Sequence, residues 1–90
     1  MKILPDFMTP AQIIEWLHAT FKPLLTFTDD LRISHHVEEG MLVFVVKVNP
    51  SDAGRVVGKE GKTIKAIRHI LYASRYLNNV RLELDVPDRH

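Results

Sequence analysis

The spacing of apolar residues changes along the chain, and each change marks an element. Ile13, Leu17, Thr20, Phe21 and Leu24 recur at helical spacing and predict a buried face. Thr9-Pro10-Ala11-Gln12 supplies the start: threonine as N-cap, proline at the first helical position, and glutamine three residues after the cap to complete a capping box. Met8 and Ile13 are spaced for a hydrophobic staple. Pro23 ends the helix near Phe21, because proline disfavours helical geometry in the residue before it. Thr28-Asp29-Asp30 is a turn. Leu31, Ile33, His35 and Val37 then alternate with Arg32, Ser34 and His36, the period of a strand with one wet face. Glu38-Glu39-Gly40 is a tight connection to Met41–Val48, a nearly continuous apolar run rich in β-branched residues. These two strands are expected to pair as an antiparallel hairpin.

Asn49-Pro50 starts a short helix to about Val57, with Asn49 as cap and Ser51 and Asp52 favouring the helix dipole. Gly58-Lys59-Glu60-Gly61 breaks it. A longer helix runs from Lys62 to about Leu77. Its inner stripe is Ile64, Ile67, Leu71 and Ser74, with Ile70 and Leu77 beside it. Asn78-Asn79 can take the left-handed geometry that stops a helix. Val80, Leu82, Leu84 and Val86 alternate with Arg81, Glu83 and Asp85 as a third strand, closed by Pro87. The order helix-strand-strand-helix-helix-strand predicts an α+β domain with three helices on one face of a three-stranded sheet.

Ninety residues make one domain. With no cysteine, disulfides and thiolate zinc sites are excluded, and stability rests on packing. The longest apolar run, Met41 to Val46, is far too short for a membrane span, and the proline and acid at Pro5-Asp6 interrupt any secretory leader. A soluble, cytoplasmic protein is expected, with no membrane partner. The net charge of +1 is uninformative, but its distribution is not. Residues 53–75 hold six basic residues against one acid, a balance of +5; the rest holds six basic and ten acidic residues, a balance of −4. A basic segment on an acidic body is the footprint of a polyanion site, although a solvated helix face gives the same pattern.

That segment contains Val56-Val57-Gly58-Lys59-Glu60-Gly61-Lys62-Thr63-Ile64-Lys65-Ala66-Ile67. A connector with glycine at each end joins two helices. Glycine permits unusual backbone angles and leaves no Cβ to block a ligand. The first amides of the second helix lack intrahelical partners and sit at the positive end of its dipole, where a phosphate can approach. Lys59 and Lys62 add charge there, and Lys65 and Arg68 continue the row by one turn each. The spacing is not that of a Walker loop, and a dinucleotide fingerprint needs a third glycine after a strand.

The helix-GxxG-helix context between two strands, with the aliphatic pair before it and Lys62-Thr63-Ile64 and Ile67 after it, resembles the KH domain. The element order resembles the type II, bacterial arrangement: a type II KH fold, α-β-β-α-α-β, with a three-stranded mixed sheet. It covers roughly Thr9 to Val86, nearly the whole chain, so the resemblance divides the chain into an N-terminal arm at 1–8, a KH domain at 9–87 and a C-terminal tail at 88–90. The short chain and the Phe21-Lys22-Pro23-Leu24 approach to Leu31 resemble the KhpA family of small RNA-binding proteins. The resemblance implies a non-catalytic protein that binds single-stranded RNA, with a larger KH-containing RNA-binding protein as a further partner. It implies that Gly58, Lys59, Glu60 and Gly61 clamp the backbone of about four nucleotides. Val57 and Ile64 would line an apolar groove for the bases, and the sheet around Ile33 and His35 would form its other wall. Arg55, Lys62, Lys65 and Arg68 complete the expected site. Glu60 departs from the pattern by placing an acid in the clamp.

No catalytic arrangement is found around Ser34, Ser51 or Ser74, and no cofactor is implied. His35 and His36, adjacent on a strand, point to opposite faces and cannot chelate together. Trp16 is expected to be partly buried, and Tyr72 and Tyr76, four residues apart, to cover the surface side of the long helix. The apolar arm Ile3, Leu4, Phe7 and Met8 packs on its own domain or pairs two copies as a homodimer. The alternative function is a protein-interaction module with vestigial nucleic-acid binding; single-stranded DNA as ligand is a third reading.

Overall fold

A computed structural model describes residues 9–73 and 79–85. The first helix, α1 (Pro10–Phe21), begins as its sequence dictates: the Thr9 hydroxyl accepts from the Gln12 amide, and the Gln12 side chain accepts from the Thr9 amide. It ends at Phe21, where Lys22–Leu24 tightens into a single 3₁₀ turn around Pro23. Ile13, Leu17 and Phe21 are fully buried, and Trp16 packs half-buried at the edge of the core. The expected staple partner Met8 lies outside the described residues, as does the rest of the apolar arm.

A second 3₁₀ turn, Thr28–Asp30, leads into β1 (Arg32–Glu38), which pairs antiparallel with β2 (Met41–Lys47). Glu39 (φ 51°) and Gly40 (φ 78°) form the two-residue turn, both left-handed as the twist of a tight hairpin requires. A further 3₁₀ turn, Pro50–Asp52, capped by the Asn49 side chain on the Ser51 amide, runs into α2 (Ala53–Val57). Then come α3 (Lys62–Tyr72) and β3 (Val80–Asp85), which pairs parallel with β2. The sheet is mixed, in the order β1-β2-β3.

One face of that sheet carries the core. Phe44 and Val46 on β2, and Val80 and Leu82 on β3, join Ile13, Leu17 and Phe21 of α1, Val56 of α2, and Ile64, Ile67 and Leu71 of α3 in one buried cluster. On the opposite face Arg81 of β3 reaches over β2 to Glu38 of β1, and Val43, its neighbour in register on β2, is fully buried.

Three expectations need correction. Leu31 is buried and Ile33 half-buried, but His35 and Val37 are exposed, Val37 at 73%. β1 is an edge strand, and α1 packs on it without covering its far end. Ile70, expected beside the inner stripe, is exposed, because the α3 face toward the core is fully occupied by Ile64, Ile67 and Leu71. Finally, α3 ends at Tyr72 with Ala73 as its C-cap, rather than near Leu77. Ser74, Tyr76, Leu77, Asn78, Val86 and Pro87 lie outside the described residues.

Candidate nucleic-acid interface

The connector from α2 to α3 has the backbone its glycines predict. Gly58 adopts φ 79°, ψ 172°, a conformation essentially restricted to glycine. Gly61 is left-handed at φ 74°, ψ 13°. Between them Glu60 is also left-handed (φ 57°), although it has a side chain. The turn is closed from within: the Gly58 amide donates to Gly54 O at 2.9 Å and the Gly61 amide to Gly58 O at 3.1 Å. The Lys62 amide donates to Lys59 O. Two amides expected to be available for a ligand, Gly61 and Lys62, are therefore engaged. By helix geometry the next positions without an intrahelical acceptor are Thr63 and Ile64.

The Thr63 side chain lies directly against Gly58. A Cβ on Gly58 would fall 2.2 Å from Thr63 Oγ1 and 2.9 Å from the Thr63 amide nitrogen. In the sequence Thr63 is only one residue of the motif; its pairing with Gly58 is visible only in three dimensions. At the other glycine the nearest atom to such a Cβ is Lys65 Cε, 3.7 Å away. The end of the Lys65 methylene stem thus lies alongside Gly61.

Lys59, Glu60, Lys62 and Lys65 are all exposed. Glu60 points outward, with its carboxylate 4.0 Å from Lys62 Nζ and both side chains mostly in solvent. So loose a surface pair binds weakly and is screened by salt. Three ammonium groups against one carboxylate leave the corner positive. Val57 is half-buried beside the core, whereas Ile64 is a core residue at 6% exposure. Among these two, Val57 offers the more accessible apolar surface.

Arg55 and Arg68 are engaged by the protein itself. Arg55 Nη1 donates to the Thr26 hydroxyl at 3.1 Å. It joins a node around Asp52, whose buried carboxylate accepts from the amides of Thr26 and Phe27 at 2.9 Å each. Burial alone would raise the Asp52 pKa. The two amide bonds, the Arg55 charge and the Thr26 hydroxyl outweigh it and hold the carboxyl below its ordinary value. Arg68 Nε donates to the backbone carbonyl of Leu82 at 3.2 Å. The Leu82 amide in turn donates to the Tyr72 hydroxyl at 3.1 Å.

These bonds tie α3 to β3, so the strand beside α3 is β3 and not β1, where Ile33 and His35 lie. The β2-α2-α3-β3 crossover returns parallel to β2 and lays α3 against the strand it leads into, while β1 is at the opposite edge under α1. His35 packs its ring near Phe44 instead, with centroids 5.7 Å apart. Among the described residues no cluster of histidine and acidic side chains is placed to hold a metal, and no helix is long and apolar enough to cross a membrane.

The family model for the KhpA/KhpB KH domain matches residues 15–86 of this chain. The RNA-binding protein KhpA of Halalkalibacterium halodurans is 38% identical over 65 residues, covering 72% of this chain and 86% of its own. KhpA of Chlamydia pneumoniae is 35% identical over 74 residues, 82% of this chain and 95% of its own. KhpA of Bacillus subtilis is 27% identical over 81 residues, 90% of this chain and all of its own length. The match spans both strands of the hairpin, the glycine-bracketed connector and the helix that follows it, so the chain belongs to the KhpA/KhpB KH-domain family.

Proposed function

We propose that this protein binds single-stranded RNA through the connector 58–61 and the start of α3, and performs no chemistry on it. The observation that carries the reading is the exposed corner itself. Two glycines and a left-handed Glu60 keep the connector tight, and Lys59, Lys62 and Lys65 surround it. A phosphate there meets the positive end of α3, the amides of Thr63 and Ile64, and three mobile ammonium groups. The relatives named RNA-binding protein KhpA support RNA as the polymer. A connector of this size clamps about four nucleotides of backbone, with the bases turned toward Val57 and the β3 side of α3. Recognition is dominated by backbone, so base preference is weak. A larger KH-containing protein of the same family is a further partner in this reading, and the work is done in the cytoplasm.

The test is replacement of Lys59 and Glu60 by aspartates. Aspartate tolerates the left-handed backbone at position 60 better than most residues, so folding is preserved. The double variant is expected to lose RNA binding and to keep its melting temperature. RNA binding that survives the change places the site elsewhere. A wild-type protein that binds no RNA and self-associates instead would favour the protein-interaction reading.

A further inference from the structure

The outer edge of β3 is not bare. Leu82 pairs with Phe44 on the inner side of the strand. Its own amide and carbonyl are both taken by side chains of α3: the amide donates to the Tyr72 hydroxyl, and the carbonyl accepts from Arg68 Nε. The consequence for Tyr72 is specific. Its hydroxyl is anchored, yet the residue as a whole is 44% exposed. An aromatic ring fixed at its tip and open along its side is an unusual way to spend a tyrosine on a helix surface, because a tyrosine that merely covers a helix needs no such anchor. The hydroxyl accepts from Leu82, so its own proton remains available to donate.

Tyr72 also lies in line with the basic corner. Lys62, Lys65 and Arg68 precede it on the same helix, and Arg68 shares its Leu82 partner. From Lys62 to Tyr72 the helix rises about 15 Å. A strand whose phosphates start at the connector and follow this row would bring a base to the Tyr72 ring.

We propose that Tyr72 is a base-stacking residue, a second contact point that extends the RNA site along α3 to its C-terminal end. This rests on the RNA-binding reading above. Stacking is sequence-tolerant, since every base presents a π-face, and a ring already held in place pays little further entropy on binding. The Leu82 amide acts as the positioning group. Arg68, by holding the neighbouring carbonyl, keeps the strand edge in register with the ring.

The experiment uses the full chain and a short single-stranded RNA. Affinity is measured for wild type, Tyr72→Leu, Tyr72→Phe, and the Lys59→Asp/Glu60→Asp variant, with a melting curve for each. Tyr72→Leu is expected to weaken binding about 5- to 150-fold, the range found for removal of one stacked base. Its salt dependence should match wild type, because no phosphate contact is lost. Tyr72→Phe keeps the ring and should retain most of the affinity. A series of oligomers carrying a single abasic position separates stacking from structural damage. One position should weaken wild type and leave Tyr72→Leu unaffected. If Tyr72→Leu binds every oligomer like wild type while the loop variant does not, the stacking role is wrong and the loop site stands. If Tyr72→Leu weakens all oligomers equally and also lowers the melting temperature, its role is structural and the proposal is overturned. Absence of RNA binding by wild type would remove both readings together.

Discussion

The Thr63 hydroxyl occupies the space that a side chain on Gly58 would need. A Cβ there would lie 2.2 Å from Thr63 Oγ1, far inside van der Waals contact, and would also press on the Thr63 backbone. The two glycines of the connector are therefore not equivalent. At Gly61 the left-handed backbone is the main obstacle, since the added Cβ would meet only Lys65 Cε at an ordinary 3.7 Å.

Gly61→Ala should therefore cost about 1–2 kcal/mol, the penalty for a left-handed residue with a side chain. Gly58→Ala should cost more, because steric overlap adds to a backbone conformation that only glycine adopts readily. Chemical denaturation of the two variants checks the order. Pairing Gly58→Ala with Thr63→Ala should recover only a small part of the loss, since the hydroxyl goes but the overlaps with the Thr63 Cβ at 2.7 Å and amide nitrogen at 2.9 Å stay. Equal destabilisation by the two glycine variants would mean that Thr63 moves aside freely.

Asp52 predicts a pH dependence of stability. Its carboxyl is held below its ordinary value of 3.8 because its charged form accepts the Thr26 and Phe27 amides and faces Arg55. A group with a lowered folded-state pKa contributes its stabilisation above the unfolded-state value and loses it as pH falls through the folded-state value. Asp52→Asn keeps the shape but turns an amide NH₂ toward one of the two backbone donors. The variant should melt below wild type at neutral pH, and the gap should close in acid, below about pH 3.8. A gap that stayed constant down to pH 2 would show that the charge is irrelevant and only the shape matters.

Much of this molecule was legible in the pattern of its residues. Thr9 and Gln12 predicted a capping box, and Pro23 predicted the end of α1; both features depend only on neighbours in sequence. Gly58 and Gly61 likewise predicted the break between α2 and α3. What local pattern could not convey was which parts meet. Asp52 read as a helix-dipole acid, but its partners Thr26 and Phe27 are about 25 residues earlier. Arg68 read as the end of a basic row, but its partner is a backbone carbonyl on β3, 14 residues later. Alternation assigns the strand of Ile33 and His35 its faces but not its position in the sheet; the parallel return of β3 beside β2 leaves β1 at the opposite edge.

Arg68 and Lys65 should therefore separate in experiment. Arg68→Gln removes the Nε bond to Leu82 and is expected to cost about 0.5–1.5 kcal/mol of stability. Lys65→Gln touches no described backbone partner and should leave stability unchanged while weakening RNA binding. Urea unfolding and RNA titration of both variants check the distinction. An Arg68→Gln variant as stable as wild type would release Arg68 to the RNA site.

The hairpin turn offers a stabilising change remote from the site. Glu39 sits at φ 51°, where asparagine is the better residue. Glu39→Asn should raise stability by a few tenths to about 1 kcal/mol, with RNA affinity unaltered. A thermal melt and one RNA titration suffice, and a lower melting temperature would mean that Glu39 makes a compensating interaction through its carboxylate.

The number of phosphates engaged is measurable from salt dependence alone. If Lys59, Lys62 and Lys65 act as the corner's geometry suggests, two or three phosphates are neutralised. Log affinity should then fall with log salt at a slope of about −1.4 to −2.1. Each lysine replaced by glutamine should reduce the magnitude of that slope by about 0.7, and each should do so independently of base sequence. Glu60→Gln acts in the opposite sense. It removes the one carboxylate among three ammonium groups and frees Lys62 from its 4.0 Å contact. Affinity should rise at low salt and converge on wild type at high salt, as expected for an exposed charge that the Debye atmosphere screens. A Glu60→Gln variant that binds more weakly would mean that the carboxylate holds Lys62 in a productive position. The acid in the clamp would then be part of the site instead of a drag on it.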